Sequence, residues 1–419
     1  MVIAQINGTF GHGDSTGGTT KEMHDWLIRN GHDSVVFARV ANNLCENDKK
    51  VFFYSKRAEE KIHSILSRLT GLQGYYSKKG TNRIINKLRE KKPDVVILRV
   101  LHNNSIYLPG LFNFLTSQRI PVVLVLHDCW YYTGHCCYYV QYNCFDWKNG
   151  CCKCKHIHDW NPSWIFDTAN KCLKDKKNWF GEYDLLGVVG VSDWVTKDAA
   201  CSILAGSFFI NRIYNWIDFN VFFPHDSEEK VRQRHNIGSD KKIVFAVSTE
   251  WPINKGLLEI IAANKIENTV VIVAGKIEKN KAMGMICLGS INDPNVLAEY
   301  YSAADLFLNP SRYETFGKTT AEALSCGTPV VAYDTSGSRE LVNEKRGQTV
   351  SLPDSFQSEK ESEVRIKHYL QAVRRVLEIG KKAYTKECLD FARENFSMEK
   401  NMEEYVDLFR KLSKRKEES

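Results

Sequence analysis

The chain has 419 residues, 43% hydrophobic and 26% charged, which excludes a disordered protein and exceeds what one ordinary core accommodates. Its formal net charge is +7, with thirteen Lys/Arg against three Glu between Lys49 and Lys92, so that stretch either docks on something acidic or forms solvated helix faces. No segment reaches the ~18 apolar residues of a membrane span, and the start MVIAQINGTFGHGDSTGG lacks a basic leader and an apolar stretch, so a cytoplasmic location is expected and nucleic acid is not an expected partner.

Short apolar runs bounded by turn residues alternate with helical patterns, the signature of doubly wound parallel sheets. In the first half, strands are predicted at 2–7, 34–40, 94–100, 122–127 and 185–191, with a helix over 19–30 closed by Asn30-Gly31. The loop from Gly11 through Gly17 and Gly18 allows close backbone approach, and His102 follows a strand end; both suit an acceptor. An amphipathic pattern over 56–70 places Ile62, Ile65, Leu66 and Leu69 on one face beside Lys61 and Arg68. It reads either as a core-facing helix or as a basic helix lying on an anionic membrane surface. The polar stretch 224–240 is the expected linker, and strands are predicted beyond it at 242–247, 269–274, 285–288, 306–309 and 329–333.

The densest chemical signal is ETFGKTTAEALSCGTPVVAYDTSGSREL, from Glu314 to Leu341. A helix is predicted from Lys318 to Ser325, so Glu314 lies in the loop before it and Glu322 about one turn inside. Backbone N–H groups around Phe316, Gly317 and Lys318 lack partners at such a helix start, where the macrodipole favours an anion, which makes a diphosphate cradle. Glu322 suits a ribose diol, because a carboxylate accepts two hydrogen bonds side by side. Alternatively, Glu314 is an N-terminal charge and Glu322 a solvated face.

This segment resembles the donor motif of retaining glycosyltransferase family four, two Glu with seven residues between them followed by Cys-Gly-Thr-Pro-Val-Val. The likeness extends from the Gly-rich loop through Tyr214-Asn215-Trp216-Ile217-Asp218. It implies a GT-B fold: two Rossmann-like α/β domains with doubly wound parallel sheets, facing across a cleft. The expected division is an acceptor-side domain over 1–223, with a Cys-rich insertion near 129–158, a donor domain over 224–395, and a C-terminal helix and tail over 396–419 that pack back toward the first. By the same resemblance, Glu322 holds the ribose of a nucleotide-sugar donor, Glu314 sits against the sugar, and Lys255, before Gly256, neutralises the diphosphate. The family's Arg has no counterpart near Ser248 and Thr249, so Lys318 is expected to supply that charge. His127, at a strand end, resembles the active-site His, with Asp128 as an orienting neighbour. No catalytic metal is expected. The implied reaction moves a sugar, with retention, to a glycan or lipid-linked glycan acceptor, in surface polysaccharide synthesis by an enzyme peripheral to the inner membrane face. The rival readings are a sugar-nucleotide epimerase, a phosphorylase, or a binder that has lost the reaction.

Seven of the 13 cysteines fall between His127 and His158, in a stretch with little periodicity. A reducing location disfavours disulfides there. Cys151 and Cys154 form a Cys-x-x-Cys knuckle, and with Cys136 and Cys144 they make a four-thiolate set for structural zinc. Cys137 and Cys152 are alternatives, His135 could replace one thiol, and plain reduced or redox-active thiols are the competing reading. A similar insertion in some bacterial sequences resembling family four supports the four-thiol set.

Overall fold

Apolar runs such as VVIL and VVLVL do not alternate, because a central parallel strand is covered on both faces. The computed structural model describes residues 1–11, 15–39, 48–278, 281–282, 284–352 and 359–418. The Gly-rich loop residues His12 to Asp14 therefore lie outside the described residues. The chain divides into Met1–Ile213 with Lys400–Ser419, and Tyr214–Glu399. The division falls after Ile213 rather than at 223 because Tyr214 packs its ring on Phe316 and Phe396 of the second unit.

The first unit carries β1 (Val2–Ile6), α1 (Ser15–Arg29), β2 (Asp33–Ala38), β3 (Val51–Phe53), α2 (Arg57–Thr70), α3 (Lys78–Lys91), β4 (Val95–Leu98), α4 (Leu108–Ser117), β5 (Val122–Leu126), α5 (Ala169–Phe180), β6 (Leu186–Gly190), α6 (Asp193–Ala200) and β7 (Phe209–Arg212). Its strands pair in parallel in the order β3-β2-β1-β4-β5-β6-β7. The Cys-rich insertion lies between β5 and α5 as short 3-10 turns at Trp130–Tyr132, Tyr139–Tyr142 and Asp146–Lys148. Its periodicity is poor, yet it does not stand apart from the core: Trp130, Tyr132, Tyr139 and Trp147 are buried with the β4 and β5 side chains. Lys176 of α5 donates to the Trp130 and Thr133 carbonyls and lies 3.8 Å from the Trp130 ring centroid.

The second unit carries α7 (Glu228–His235), β8 (Lys242–Glu250), α8 (Leu257–Ala263), β9 (Thr269–Lys276), β10 (Ile286–Gly289), α9 (Pro294–Ala303), β11 (Leu306–Asn309), α10 (Lys318–Ser325), β12 (Val330–Tyr333), α11 (Ser338–Leu341), β13 (Gly347–Val350), α12 (Glu359–Ile379), α13 (Lys382–Asn395) and the start of α14 (Met398–Glu418). Its parallel order is β10-β9-β8-β11-β12-β13. The stretch 224–240 is not a free linker. It contains α7, tied into this unit by Ser227 Oγ donating to the Glu299 carbonyl at 2.7 Å and by a Lys230–Glu299 ion pair. Under the sheet, Arg365 of α12 meets Glu259 of α8 at 2.9 Å, and Tyr333 donates to the same carboxylate at 2.7 Å. Each sheet is therefore a doubly wound Rossmann-like α/β layer. Among the described residues, no helix is long and apolar enough to cross a membrane.

Candidate functional site

In the second sheet the strand order reverses between β8 and β11, and open parallel sheets bind ligands outside the carboxyl ends of strands at such a switch point. The turn after β8 ends in Lys255 and Gly256. Gly256 has φ 81°, and a Cβ there would meet Pro310 at 2.3 Å, so only glycine fits. The loop after β11 brings Glu314 to Lys255, Nζ to Oε1 2.7 Å. The loops are laced further by Asn254 Nδ2 donating to Tyr313 Oη at 2.6 Å and by the Arg312 N–H donating to the Asn254 carbonyl at 3.0 Å. Burial would lower the Lys255 pKa, but the Glu314 charge outweighs it and the net shift is upward, so Lys255 stays a cation. Glu314 is itself held through its N–H to Ser336 Oγ and its carbonyl to the Gly337 N–H.

The following helix, α10, begins at Lys318 after Gly317, whose φ of 91° sets the left-handed entry with no side-chain cap. Phe316 is buried against Tyr214 and Phe396, which fixes the direction of that entry. The first N–H groups of α10 thus have no side-chain cap, an arrangement suited to an anion. Lys318 is half-buried at this start. One turn on, Glu322 is buried and accepts a hydrogen bond from Tyr301 Oη at 3.0 Å. Burial and the Glu322 charge both push the Tyr301 pKa well up, keeping that phenol a donor. Arg312 meets the Lys255 turn through its backbone N–H, while its guanidinium feels the charges of Arg365 and Glu259.

In the first sheet the order reverses between β1 and β4. Asn7 at the end of β1 donates to the Thr16 carbonyl and to Thr20 Oγ1, and accepts from the Val100 N–H, joining the start of α1 to the end of β4. Gly17 and Gly18 lie in that first turn; a Cβ on Gly17 would meet the Gly11 carbonyl at 3.0 Å, whereas Gly18 has nothing within 4 Å. His127, directly after β5, meets Arg99 through Nε2 at 3.0 Å. A guanidinium has no acceptor, so Nε2 accepts and the neutral imidazole carries its proton on Nδ1. Arg99 is buried, and its other amino group lies 3.1 Å from Met23 Sδ. This arginine was also missed, because one Arg after an apolar run has no spacing to mark it. Asp128 does not use its oxygens as expected: one meets His102 Nε2 at 2.7 Å, the other accepts the Trp130 N–H at 2.8 Å.

His102, Asp128 and Cys137 bring their ligand-type atoms within 4.8 Å of one another, the one such group among the described residues, and together they could coordinate a metal. Burial would lower the His102 pKa, but neighbouring charge raises it well above the ordinary value, while burial raises the Cys137 pKa. The Cys137 charge and then the Asp128 charge are the causes of the His102 rise. Cys136, Cys144, Cys151 and Cys154 share one neighbourhood: burial raises the Cys136 pKa, and the charges of the other three raise it further. Cys151 Sγ accepts the Gly134 N–H at 3.4 Å, and burial pushes its pKa to about 12. Those four are not closed to the 4.8 Å spacing that the His102 group shows. His135 is buried with neither ring nitrogen hydrogen-bonded, its pKa lowered to about 4 by burial and then by Lys176.

Residues 241–361, which hold Lys255, Glu314 and Glu322, match the family described as "Glycosyl transferases group 1". Over 276 residues the chain is 26% identical to the "Putative colanic acid biosynthesis glycosyl transferase WcaC" of Escherichia coli K12, covering 64% of this chain and 67% of that protein. Other curated relatives are matched over less than half their length, such as 45% of the uncharacterized glycosyltransferase MJ1607 of Methanocaldococcus jannaschii. Among solved structures, a sucrose-phosphate synthase from Thermosynechococcus elongatus superposes with a TM-score of 0.71 at 18% identity, covering 98% of both chains.

Proposed function

We propose that the chain, whose residues 241–361 match the Glycosyl transferases group 1 family, is a retaining glycosyltransferase of GT-B fold. It moves a sugar from a nucleotide-sugar donor to a glycan or lipid-linked glycan acceptor, in surface polysaccharide synthesis on the cytoplasmic side of a membrane. The observation that supports this most is the Lys255–Glu314 ion pair in front of α10, with buried Glu322 one turn behind. The diphosphate lies on the first N–H groups of α10, and Lys255 turns from Glu314 to the phosphate. That exchange keeps Lys255 neutralised and leaves the Glu314 carboxylate for the donor sugar. Glu322 takes the ribose hydroxyls, and Lys318 supplies the charge of the absent family arginine.

In the retaining reaction, the bond from the anomeric carbon to the phosphate oxygen breaks, and the acceptor oxygen bonds to that carbon on the same face. The departing phosphate oxygen takes the acceptor proton. From the first unit, His127 is assigned to the transfer step, and the start of α1 at Gly17 and Gly18, as well as His102, to the acceptor side. The residues act by position and electrostatics rather than as a covalent nucleophile.

Zinc is proposed as a structural ion on Cys136, Cys144, Cys151 and Cys154. Soft thiolates suit it, the Gly134 N–H already points at Cys151 sulfur, and binding must draw the thiols together. The unpartnered His135 ring is the alternative fourth ligand.

The test is release of nucleoside diphosphate from a panel of UDP-, GDP-, ADP- and dTDP-sugars, with and without lipid-extracted glycan acceptor, and NMR of the anomeric configuration of the product. Acceptor-dependent release with retention is expected. Inversion overturns the retaining assignment, sugar epimerisation without acceptor indicates an epimerase, and binding without turnover indicates a binder.

A further inference from the structure

The helix α2 is amphipathic, but its apolar stripe faces outward. It rests on the first unit through polar side chains, His63 Nδ1 to Ser77 Oγ at 2.8 Å and Ser67 Oγ to Asn104 Oδ1 at 2.9 Å, while Ile62, Ile65 and Leu69 face solvent. A second segment is pinned to the end of this helix. The Trp164 N–H donates to the Arg68 carbonyl at 2.6 Å, Thr168 Oγ1 to the Gly71 carbonyl at 2.7 Å, and Ser163 Oγ closes the turn onto the Phe166 carbonyl at 2.7 Å. At its tip Trp164, Ile165 and Phe166 are consecutive and outward. These six apolar side chains are 37 to 60% exposed, and their shared placement is not explained by the glycosyl-transfer site.

The charge around them is mostly positive. Lys56, Arg57 and Lys61 are exposed along α2. Exposed Lys153 and Lys155 flank Cys154, whose N–H donates to Asp167 beside the tip at 2.7 Å. Of the nearby acids, Glu59 pairs with Arg83 at 2.7 Å and Glu60 with Arg39 at 3.4 Å, while Asp167, exposed beside the tip, accepts the Cys154 and Ala169 N–H groups, the latter at 3.0 Å. An apolar stripe bordered by cations matches an interface whose interior is hydrocarbon and whose surface is anionic. A Trp at the tip suits the headgroup level, where its ring is half apolar and half polar.

We propose that the outward stripe of α2 and the Trp164–Phe166 tip together form a docking surface for an anionic lipid bilayer. The helix lies along the headgroups, the tip inserts, and the lysines and arginines meet lipid phosphates. Docking holds the first unit at the surface where a lipid-linked acceptor would be presented.

The test is co-sedimentation of the full chain with vesicles of phosphatidylcholine alone and of phosphatidylcholine mixed with phosphatidylglycerol, at low and high salt. Binding to the mixed vesicles is expected, weakened by salt, and reduced about tenfold or more in a Trp164→Ser/Phe166→Ser variant. Both positions are exposed, so that variant keeps its fold, checked by an unchanged thermal midpoint. A Phe223→Ser variant, exposed in the second unit, should bind as the wild type does. Absence of binding at low salt, or equal binding by the tip variant, overturns the proposal. So does concentration-dependent self-association that the tip substitutions abolish, because the surface then serves a second copy. The assay uses no donor or acceptor, so its failure leaves the glycosyl-transfer reading standing.

Discussion

Glu322 carries the most quantitative consequence of the donor site. Its side chain is buried and accepts from Tyr301, so solvent screens its interactions little. A hydrogen bond to a charged group contributes about 1.5–3 kcal/mol, roughly twice a neutral one. If the carboxylate holds a ribose diol, Glu322→Gln keeps the volume but removes the charge assistance, and nucleoside diphosphate affinity should fall about 10- to 100-fold. Glu322→Ala should fall at least as far. Tyr301→Phe removes the phenol that orients the carboxylate and should weaken binding by a smaller factor. The two substitutions should be non-additive, because with Gln at 322 there is no charge left to orient. Isothermal titration with UDP, GDP and ADP measures all of these. A Glu322→Gln protein that binds its nucleoside diphosphate as tightly as the wild type refutes the ribose assignment, whatever its turnover.

Three further expectations test the fold and the metal. Arg365→Met leaves the Glu259 carboxylate buried with only Tyr333, which should cost about 3–5 kcal/mol of stability, read by denaturant unfolding. His63 is buried and its pKa is lowered by burial to about 4, against ~6.5 in the unfolded chain. The unfolded state thus binds the proton first, and stability present above pH ~6.5 is lost as pH falls toward 4, by about 3 kcal/mol in all; His63→Gln should flatten that slope, and an unchanged slope would assign it elsewhere. Elemental analysis of chelator-free protein should give about one zinc per chain, lost in Cys154→Ser and kept in Cys137→Ser. The reverse pattern places the ion on His102, Asp128 and Cys137, and a metal-free protein with titratable thiols removes it.

The sequence legible as pattern was the part covered on both faces. Strands β1, β2, β4, β5, β6, β8, β9, β11 and β12 stand where apolar runs predicted them, because burial demands such runs, and the half-exposed edge strand β10 was predicted as well. The unpredicted strands β3, β7 and β13 are all sheet edges, where pairing with a neighbour suffices and short sequences such as FINR or GQTV need no apolar run. In α7 the helix is polar because only Val231 and Arg232 face inward, so its stretch resembles a linker. The Lys255–Glu314 contact joins positions distant in sequence, and the family resemblance, not periodicity, pointed to it. Arg99 against His127 and the Trp164–Phe166 tip were not legible, since each takes its meaning from a neighbour that only folding supplies. For the cysteine segment, the aromatic side chains proved to be its anchor, a role that counting aliphatic residues overlooks.

The central claim, that the second unit binds the nucleoside diphosphate of a donor while His127 of the first serves the transfer, is tested most directly by thermal unfolding with and without saturating nucleoside diphosphate. At a hundred times its Kd, the ligand should stabilise the wild type and His127→Ala alike, by about 2.7 kcal/mol. In Lys255→Met and Glu322→Gln that stabilisation should be largely lost, while His127→Ala alone keeps it and loses turnover. Equal stabilisation of all four proteins, or its loss on changing His127 alone, would contradict the account.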